Sequence, residues 1–192
     1  MIWRRDHLTI PGKPAELFLA LLPDFLVISA VLAVAILAPS APSCPLERAR
    51  YTLRDAPGFT AGFKPVPTTP DWPVDNAFFV RSAKSGKTYW FLSYFGNGQG
   101  THGHFASTYD ITRPGWTPPN PDSGKERPLG DLDYMVLDAD YRFQSEGLVR
   151  HGSPPPAHIL IPDLSAALWY RTPSDQREGA PVAFFDLAGC EP

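Results

Sequence analysis

The 192-residue chain has little of several features that mark common classes of protein. It contains only two cysteines and no block of lysine and arginine, and its net charge is -3. Because a nucleic-acid interface needs clustered basic residues to neutralise phosphates, we expect no nucleic-acid partner. After Cys44 no stretch shows clean helical periodicity, which argues against a helical bundle. No G-x-S-x-G sequence occurs, so no serine nucleophile for acyl transfer is recognisable.

What the chain does contain is proline, 23 residues, about twice the usual share, with 43% hydrophobic and 12% aromatic residues. Short β-branched and aromatic runs alternate with proline, glycine and aspartate, a pattern typical of strands and turns. We therefore expect a single mainly β domain, a sandwich or a barrel-like fold, with little helix. One short helix is expected at 163–170, capped by Asp163. Candidate strands lie at 50–54, 76–82, 87–94, 105–111, 132–137, 141–143, 158–161 and 182–187.

Two proline-rich stretches, 64–73 and 113–130, are expected to be irregular surface loops. Each carries a tryptophan, Trp72 in the first and Trp116 in the second. An aromatic ring on an exported β domain is suited to stacking on a sugar, so a glycan-binding module is one candidate function. The aromatic residues Trp90, Phe91 and Trp169 are expected to lie in the core or at its edge instead.

The N-terminus has the composition of a targeting segment. Basic residues precede an apolar run at 17–38, which at ~1.5 Å per residue is long enough to cross a ~30 Å hydrocarbon core. Pro23 and Asp24 interrupt this run, and the shorter apolar stretch that remains, 25–38, fits the apolar core of a signal peptide. Two outcomes stay open: a retained single-pass anchor, which we favour, or a cleaved signal.

This segment divides the chain. We expect an N-terminal cytoplasmic segment at 1–16, a transmembrane anchor or uncleaved signal segment at 17–38, a Pro/Ser stem at 39–49 and an exported β-rich domain at 50–192. The expected location is the inner membrane, with the C-terminal domain periplasmic or otherwise extracytoplasmic. If the segment is cleaved, the domain is secreted. If the segment is retained, the membrane is a partner through residues 17–38.

The two cysteines, Cys44 and Cys190, bracket the exported part almost end to end. In an oxidising compartment such a pair predicts one disulfide that ties the ends of the domain together. A link across so long a loop stabilises the folded state by up to ~5 kcal/mol in the chain-entropy model, and by less if the ends already dock.

The sequence GNGQGTHGHF, at 96–105, carries the most suggestive chemistry. In an extended backbone His102 and His104 lie on one face, and two imidazoles so placed can bind one divalent metal ion. The spacing Gly96, His102, His104 and later Gly115 resembles the first motif of the cupins, a resemblance that implies a metal site. Thr108 and Tyr109 stand where the cupin glutamate is expected. Further ligands would have to come from Asp110, His151 or His158.

Three other short sequences match known motifs in part. SAKSGKT, at 82–88, ends like a phosphate-binding loop, but a strand-like run follows it, so we expect a hairpin turn. GQGTHG, at 98–103, matches the glycine spacing of dinucleotide-binding loops but is likewise followed by a strand-like run. LVRHGS, at 148–153, resembles the signature of the histidine phosphatases, although prolines follow where that family continues as a helix. The aspartates at 138–140 are expected to form a turn.

These patterns favour a non-catalytic interaction or accessory domain of the cell envelope that binds no cofactor. The first alternative is a metal-binding, weakly cupin-like enzyme that uses His102 and His104. The second is a glycan-binding module. The partner, whether protein or glycan, is not specified by the sequence.

Overall fold

Eight antiparallel strands form a closed barrel in the computed structural model, which describes residues 44–94, 103–121, 126–144 and 150–192. The strands follow one another around the barrel in chain order, and the last pairs with the first. The expected mainly β fold with little helix is confirmed, and of the two architectures it is the barrel that forms. The elements are β1 (Ala49–Leu53), β2 (Phe59–Pro65), β3 (Asn76–Ser82), β4 (Thr88–Tyr94), β5 (Gly103–Thr108), β6 (Asp131–Leu137), β7 (His158–Leu160), α1 (Leu164–Tyr170) and β8 (Phe184–Cys190), with 3₁₀ turns at Leu46–Arg48 and Ser174–Gln176.

Seven of the eight strands overlap a run that the sequence predicts, and two predictions are wrong. No strand was expected at β2, and its last residues were assigned to the proline-rich loop at 64–73. The structure places Gly62 where a Cβ would lie 2.8 Å from the Phe79 ring, so the glycine is needed there. The predicted strand at 141–143 contributes only a single bridge between Phe143 and Leu137.

Aromatic rings fill the interior of the barrel. The Phe105 ring stacks on Tyr134 at 3.9 Å and on Phe78 at 4.9 Å between ring centroids. Inward positions alternate with outward ones along each strand, as the period of two requires. The barrel therefore has a packed core at the level of these rings, where a lipid-carrying barrel would have a cavity. The large buried side chains of this core include Tyr51, Phe63, Phe78, Phe91, Phe105, Tyr134 and Phe185.

Helix α1 covers the end of the barrel at which β8 begins. Its residues Leu164, Ala167 and Leu168 are buried in the same core as the interior rings. The helix lies where the sequence predicts, but Asp163 does not cap it: the Asp163 side chain makes no capping hydrogen bond, and its backbone is already helical. Tertiary burial, rather than the cap, accounts for a helix this short.

A second cluster of apolar side chains lies outside the barrel, over β3, β4 and β5. Loop residues before β3 and after β5 cover this outer face, so the three strands are buried on both sides. The Trp72 indole N–H donates to the Pro119 carbonyl at 2.5 Å, which joins the two predicted proline-rich loops. The buried members of the cluster are Trp72, Val74, Ala77, Trp90, Leu92 and Ala106.

The cysteines close the barrel at the seam where β8 meets β1. Cys44 and Cys190 lie within disulfide distance, with Sγ atoms 2.16 Å apart and Cα atoms 6.2 Å apart. Ala49 pairs with Cys190, and the Glu191 N–H donates to the Arg48 carbonyl at 2.8 Å. The predicted disulfide thus fits the register of the final strand pair.

The predicted anchor at 17–38 lies outside the described residues, as do 1–16 and the first part of the stem. In the parts of the chain that the structure describes, no helix is long and apolar enough to cross a membrane.

Candidate functional site

His104 is the one member of the predicted histidine pair that the structure describes, since His102 lies outside the described residues. His104 sits on β5, and its Nδ1 is 2.7 Å from Oδ1 of Asp133 on β6. The two residues are direct partners in the β5–β6 ladder. A carboxylate at Nδ1 fixes the orientation of the imidazole, the arrangement that commonly supports a metal-binding histidine.

Strand alternation explains why these two side chains meet. Gly103 and Phe105 face the interior, so His104 faces outward, and on β6 the same argument turns Asp133 outward. A Cβ at Gly103 would lie 2.7 Å from the Tyr134 ring. This glycine of the GTHGHF sequence is therefore required because an interior ring packs against it.

Next to His104, an aromatic and charged network covers the end of β4. The His104 ring lies 5.2 Å from the Tyr94 ring, and the Arg127 guanidinium is 5.9 Å from the centroid of that ring. Arg127 also forms an ion pair with Asp131, N to O 2.5 Å. Burial and the neighbouring Asp131 raise the pKa of the Tyr94 hydroxyl, and the nearby guanidinium does not offset them. Tyr94 therefore remains a neutral hydrogen-bonding group at physiological pH.

The other histidines and the proposed third ligands lie elsewhere on the barrel. The Asp110 carboxylate accepts hydrogen bonds from Thr112, His151 Nε2 lies 3.2 Å from Glu47, and His158 pairs with Asp186. Within the described ranges, no group of three or more histidine, cysteine, aspartate or glutamate residues is arranged to hold a metal ion. The three suggested ligands are not brought to His104.

A second histidine–aspartate pair, which the sequence did not point to, lies on the β7–β8–β1 side. Oδ1 of Asp186 is 2.7 Å from His158 Nδ1, and both its oxygens accept from Arg54, at 2.7 and 2.8 Å. The Tyr141 ring stacks on the His158 ring at 4.2 Å, and its hydroxyl bonds to Arg54. Burial raises the pKa of the Asp186 carboxyl, but the hydrogen bonds from Arg54 and His158 lower it by more. The pKa therefore lies below its usual value.

The turn that carries Tyr141 is strained. Tyr141 has φ 61°, a left-handed conformation that is uncommon for a bulky residue. The carboxylate of Asp138 holds the turn by accepting the N–H groups of Asp140 and Arg142, each at 2.9 Å. The predicted aspartate turn at 138–140 is therefore present. The ring stack on His158 is one interaction that offsets the strain.

The SAKSGKT sequence forms the predicted hairpin between β3 and β4, with Gly86 at φ 71°. The hairpin is held by Glu178, a buried carboxylate whose Oε1 accepts from Ser85 at 2.6 Å and from Tyr89 at 2.7 Å. Burial raises the pKa of the Glu178 carboxyl, but the hydrogen-bond donors lower it by more, so the pKa lies below its usual value. GQGTHG leads into strand β5 where a dinucleotide loop requires a helix. In LVRHGS, His151 pairs with Glu47.

The placement of the tryptophans differs from two sequence expectations. Trp72, the first candidate for sugar stacking, is buried, and the half-buried Trp116 packs on the outer cluster with its N–H directed to Thr108 at 3.2 Å. Trp90 is buried as expected. Trp169, expected in the core or at its edge, has 45% of its surface exposed on α1, because its neighbours Leu164, Ala167 and Leu168 take the inward face.

An exposed apolar patch therefore lies on α1 and the chain that follows it. We define this α1 patch by Trp169, Tyr170 and Val182, whose exposed fractions are 45%, 77% and 65%. The three residues border a groove of about 410 Å³. Because α1 lies in the connection that leads into β8, whereas Cys190 ends β8, the patch and the disulfide are at opposite ends of the barrel.

Comparison of the chain with protein-family models, with curated proteins and with solved structures finds no match. What the domain does is therefore inferred from the chemistry of its own surface.

Proposed function

We propose that the chain is a membrane-anchored or secreted envelope protein whose barrel is a non-catalytic interaction domain. Residues 17–38 hold it in the inner membrane, or direct its secretion if they are cleaved, and the barrel lies on the extracytoplasmic side. The α1 patch is the surface on which it meets a protein partner. The single observation that carries the proposal is this exposed apolar patch, whose three side chains border one groove.

Two features of the barrel support this function. Its interior is occupied by stacked rings, so a partner is met on the outer surface. A contiguous apolar surface on a soluble domain costs free energy unless it is covered, and such patches commonly mark protein interaction sites. Tryptophan and tyrosine are also the residues that dominate the binding energy of protein interfaces. The disulfide agrees with an oxidising compartment.

Site-specific photocrosslinking in living cells tests the patch. A benzoylphenylalanine replaces Tyr170, with Lys84 at the tip of the β3–β4 hairpin as an exposed control position. We expect a discrete adduct with one envelope protein from position 170 and none from position 84. Val182→Asp should abolish the adduct, because a charge at the patch opposes apolar contact. The same adducts from both positions, or none from position 170, would contradict the proposal.

The orientation in the membrane has its own test. Reporter fusions at residue 192, one active only outside the cytoplasm and one active only inside, should give activity with the first alone. Activity of the cytoplasmic reporter would overturn the export assignment without bearing on the patch.

A metal-binding function is the second candidate, and the specific observation in its favour is the Asp133–His104 pair. The Asp133 carboxylate at Nδ1 orients the His104 imidazole, as carboxylates commonly do for metal-binding histidines, and His102 would be the adjacent ligand. Elemental analysis of the purified chain is then expected to find stoichiometric divalent metal that His102→Ala releases. If the wild-type chain carries no metal after growth in metal-supplemented medium, this alternative is wrong.

A further inference from the structure

A cavity of about 290 Å³ lies at the end of the barrel that α1 covers. Four chain segments form it: the start of β4, the end of β5, the residues before β6 and the segment that follows α1. It shares no residue with the α1 patch. Its size is at the lower end of the range for small-molecule sites and is sufficient for a compound with one six-membered ring.

The charged side chains of this cavity are mostly positive. Lys87, Arg113 and Arg171 line it, and Asp110 is the acidic residue of the lining. The Asp110 carboxylate accepts the backbone N–H and the hydroxyl of Thr112, at 2.9 and 2.7 Å, and Arg113 Nε lies 3.9 Å from it. These contacts satisfy the acidic group and leave the other two cations without it. The cavity is therefore suited to an anion.

The half-buried Lys87 is held at the cavity by a neutral group. Its Nζ donates to Oε1 of Gln176, another lining residue, at 2.6 Å, and this bond uses one of the three donors of the ammonium. Burial raises the pKa of the nearby Glu178 carboxyl, and hydrogen-bond donors together with the charge of Lys87 outweigh burial. Glu178 is buried and accepts from Ser85 and Tyr89, so it balances part of the charge without using the donors of Lys87.

The exposed Arg171 lies over the backbone of the loop before β6. Its Nη1 donates to the carbonyl of Leu129, which also lines the cavity, at 2.5 Å. Gly130 has φ 70°, and a Cβ at this residue would lie 1.7 Å from the same nitrogen, so the glycine lets the guanidinium lie against the chain. A guanidinium carries five N–H donors in a planar fork, and the bond to Leu129 leaves most of that fork for a carboxylate.

The remaining lining favours a ring next to the carboxylate. Tyr109 lines the cavity with 56% of its surface exposed, and Trp90 and Thr108, partners in the β4–β5 ladder, lie beside it in the wall. An aromatic side chain offers a flat apolar face on which another ring can pack. A ligand that combines a ring with a negative charge therefore matches both parts of the lining.

We propose that this Lys87–Arg171 cavity binds a small compound in which one six-membered ring carries a carboxylate. The carboxylate is bound by the Arg171 guanidinium and the Lys87 ammonium, and the ring packs against Tyr109. An aromatic acid and a uronic acid share this chemistry, and the probes below distinguish them. The inference is independent of the proposed protein partner, because it concerns different residues.

Probes of matched shape test the charge of the ligand. Benzoate is negative, benzamide is neutral and benzamidine is positive, and the three compounds have nearly the same size. Binding to the full chain in an uncharged detergent is measured by equilibrium dialysis against empty micelles, which removes the contribution of partitioning. We expect saturable binding of benzoate about tenfold tighter than that of benzamide, because hydrogen bonds between charged groups are the stronger ones. Benzamidine should bind most weakly.

A second pair of probes, glucuronate and glucuronamide, repeats the comparison of acid and amide on a sugar ring. The acid that binds more tightly, benzoate or glucuronate, identifies the ligand as an aromatic acid or a uronic acid. Equal binding of acid and amide in both pairs, or tightest binding of benzamidine, would overturn the proposal.

Variants of the chain test the two cations. Arg171→Gln and Lys87→Gln each remove one charge and should each weaken the preference for the acid, and the double variant should abolish it. The matched control, Arg142→Gln, removes the charge of an exposed arginine outside the cavity and should retain the preference. A preference that survives in the folded double variant would overturn the proposal.

Because Arg171 also holds the Leu129 carbonyl, near-ultraviolet circular dichroism checks that each variant is folded. If the variants do not fold, the salt dependence of the wild-type chain decides. The preference for the acid should shrink as sodium chloride rises from about 20 mM to about 500 mM, since salt screens charges at an accessible site. A preference that does not change with salt would contradict binding by these two cations.

Discussion

Two histidine–aspartate pairs on the outer face of the barrel have the same contact and different surroundings. His104 and Asp133 join β5 to β6, and His158 and Asp186 join β7 to β8; in each pair Nδ1 lies 2.7 Å from the carboxylate. Asp186 is shared with Arg54, the Tyr141 ring stacks on His158, and the His158 side chain is only 14% exposed. The His104 side chain is 29% exposed and Asp133 is 47% exposed.

The difference follows from where each pair lies in the barrel. Asp186 is opposite Thr52 in the β1–β8 ladder, the last pairing that closes the barrel, and the same ladder ends at Cys190. The strands β5 and β6 are neighbours in chain order and need no such closure. We infer that the His158 pair, with Arg54 and Tyr141, secures the seam, whereas the His104 pair orients a side chain without contributing much to stability.

Among changes at the seam, removal of the disulfide should lower the free energy of unfolding the most. Replacing both cysteines by serine removes a link across 146 residues, and we expect the free energy of unfolding to fall by about 3 to 5 kcal/mol. Urea unfolding of the full chain, followed by near-ultraviolet circular dichroism, measures this. A loss below about 1 kcal/mol would mean that the docked ends hold the seam without the link.

Asp186→Asn should give the next largest loss in the free energy of unfolding. The change removes a carboxylate that serves Arg54 and His158 together, and with a third of the side chain exposed we expect a loss of about 2 kcal/mol. The matched change on the other pair is Asp133→Asn. If both variants lose the same amount in urea unfolding, the distinction between the two pairs is wrong.

The contribution of Asp186 should depend on pH. Its folded-state pKa is lowered, so the stabilisation is complete above the unfolded value of about 3.9 and is lost as pH falls through the folded value. The stability difference between wild type and Asp186→Asn is therefore expected to be constant above pH ~5 and to shrink at lower pH. A difference that grows on acidification would contradict the assignment of Asp186 as an ionised partner of Arg54.

Substitutions of Tyr141 distinguish the contribution of its ring stack from the cost of its left-handed backbone. Tyr141→Ala removes the stack on His158 and should cost about 1 kcal/mol. Tyr141→Gly removes the same stack but relieves the left-handed backbone, so it should be more stable than the alanine variant by about 0.5 to 1 kcal/mol. Equal stability of the two variants would show that strain at this turn is negligible.

The smallest effect is expected from Asp133→Asn alone. Because Asp133 is half exposed and has His104 as its partner in the ladder, its loss should change the free energy of unfolding by about 0.5 kcal/mol or less. A larger loss would place this pair with the structural contacts of the barrel.

Much of the fold could be predicted because strand patterns are local. The runs at 76–82, 87–94 and 132–137 alternate apolar and polar residues or consist of aromatics, and strands form there. The strand at 59–65 was missed. It contains Gly62, a residue that is uncommon in strands, and the reason for this glycine is a tertiary contact with the Phe79 ring. The disulfide followed from the position of Cys44 and Cys190 along the chain, which is information the sequence holds directly.

The candidate sites were less predictable because they depend on pairings between distant strands. Nothing local in VAFFDL shows that Asp186 meets Arg54, 132 residues earlier. Metal binding by His102 remains a prediction. His104 contacts the Asp133 carboxylate, a partner that the sequence did not indicate. The cavity lined by Lys87 and Arg171 is formed by chain segments that are distant in sequence, which no periodicity reveals.

Counting free thiols tests whether Cys44 and Cys190 close the barrel and whether the domain is exported, as we propose. The full chain is recovered from the cell envelope under alkylating conditions, and its mass is measured before and after reduction. We expect no alkylated cysteine before reduction and two after it, with the linked peptide joining residues 44 and 190. Two alkylated cysteines in the unreduced protein would contradict both the closure and the exported location.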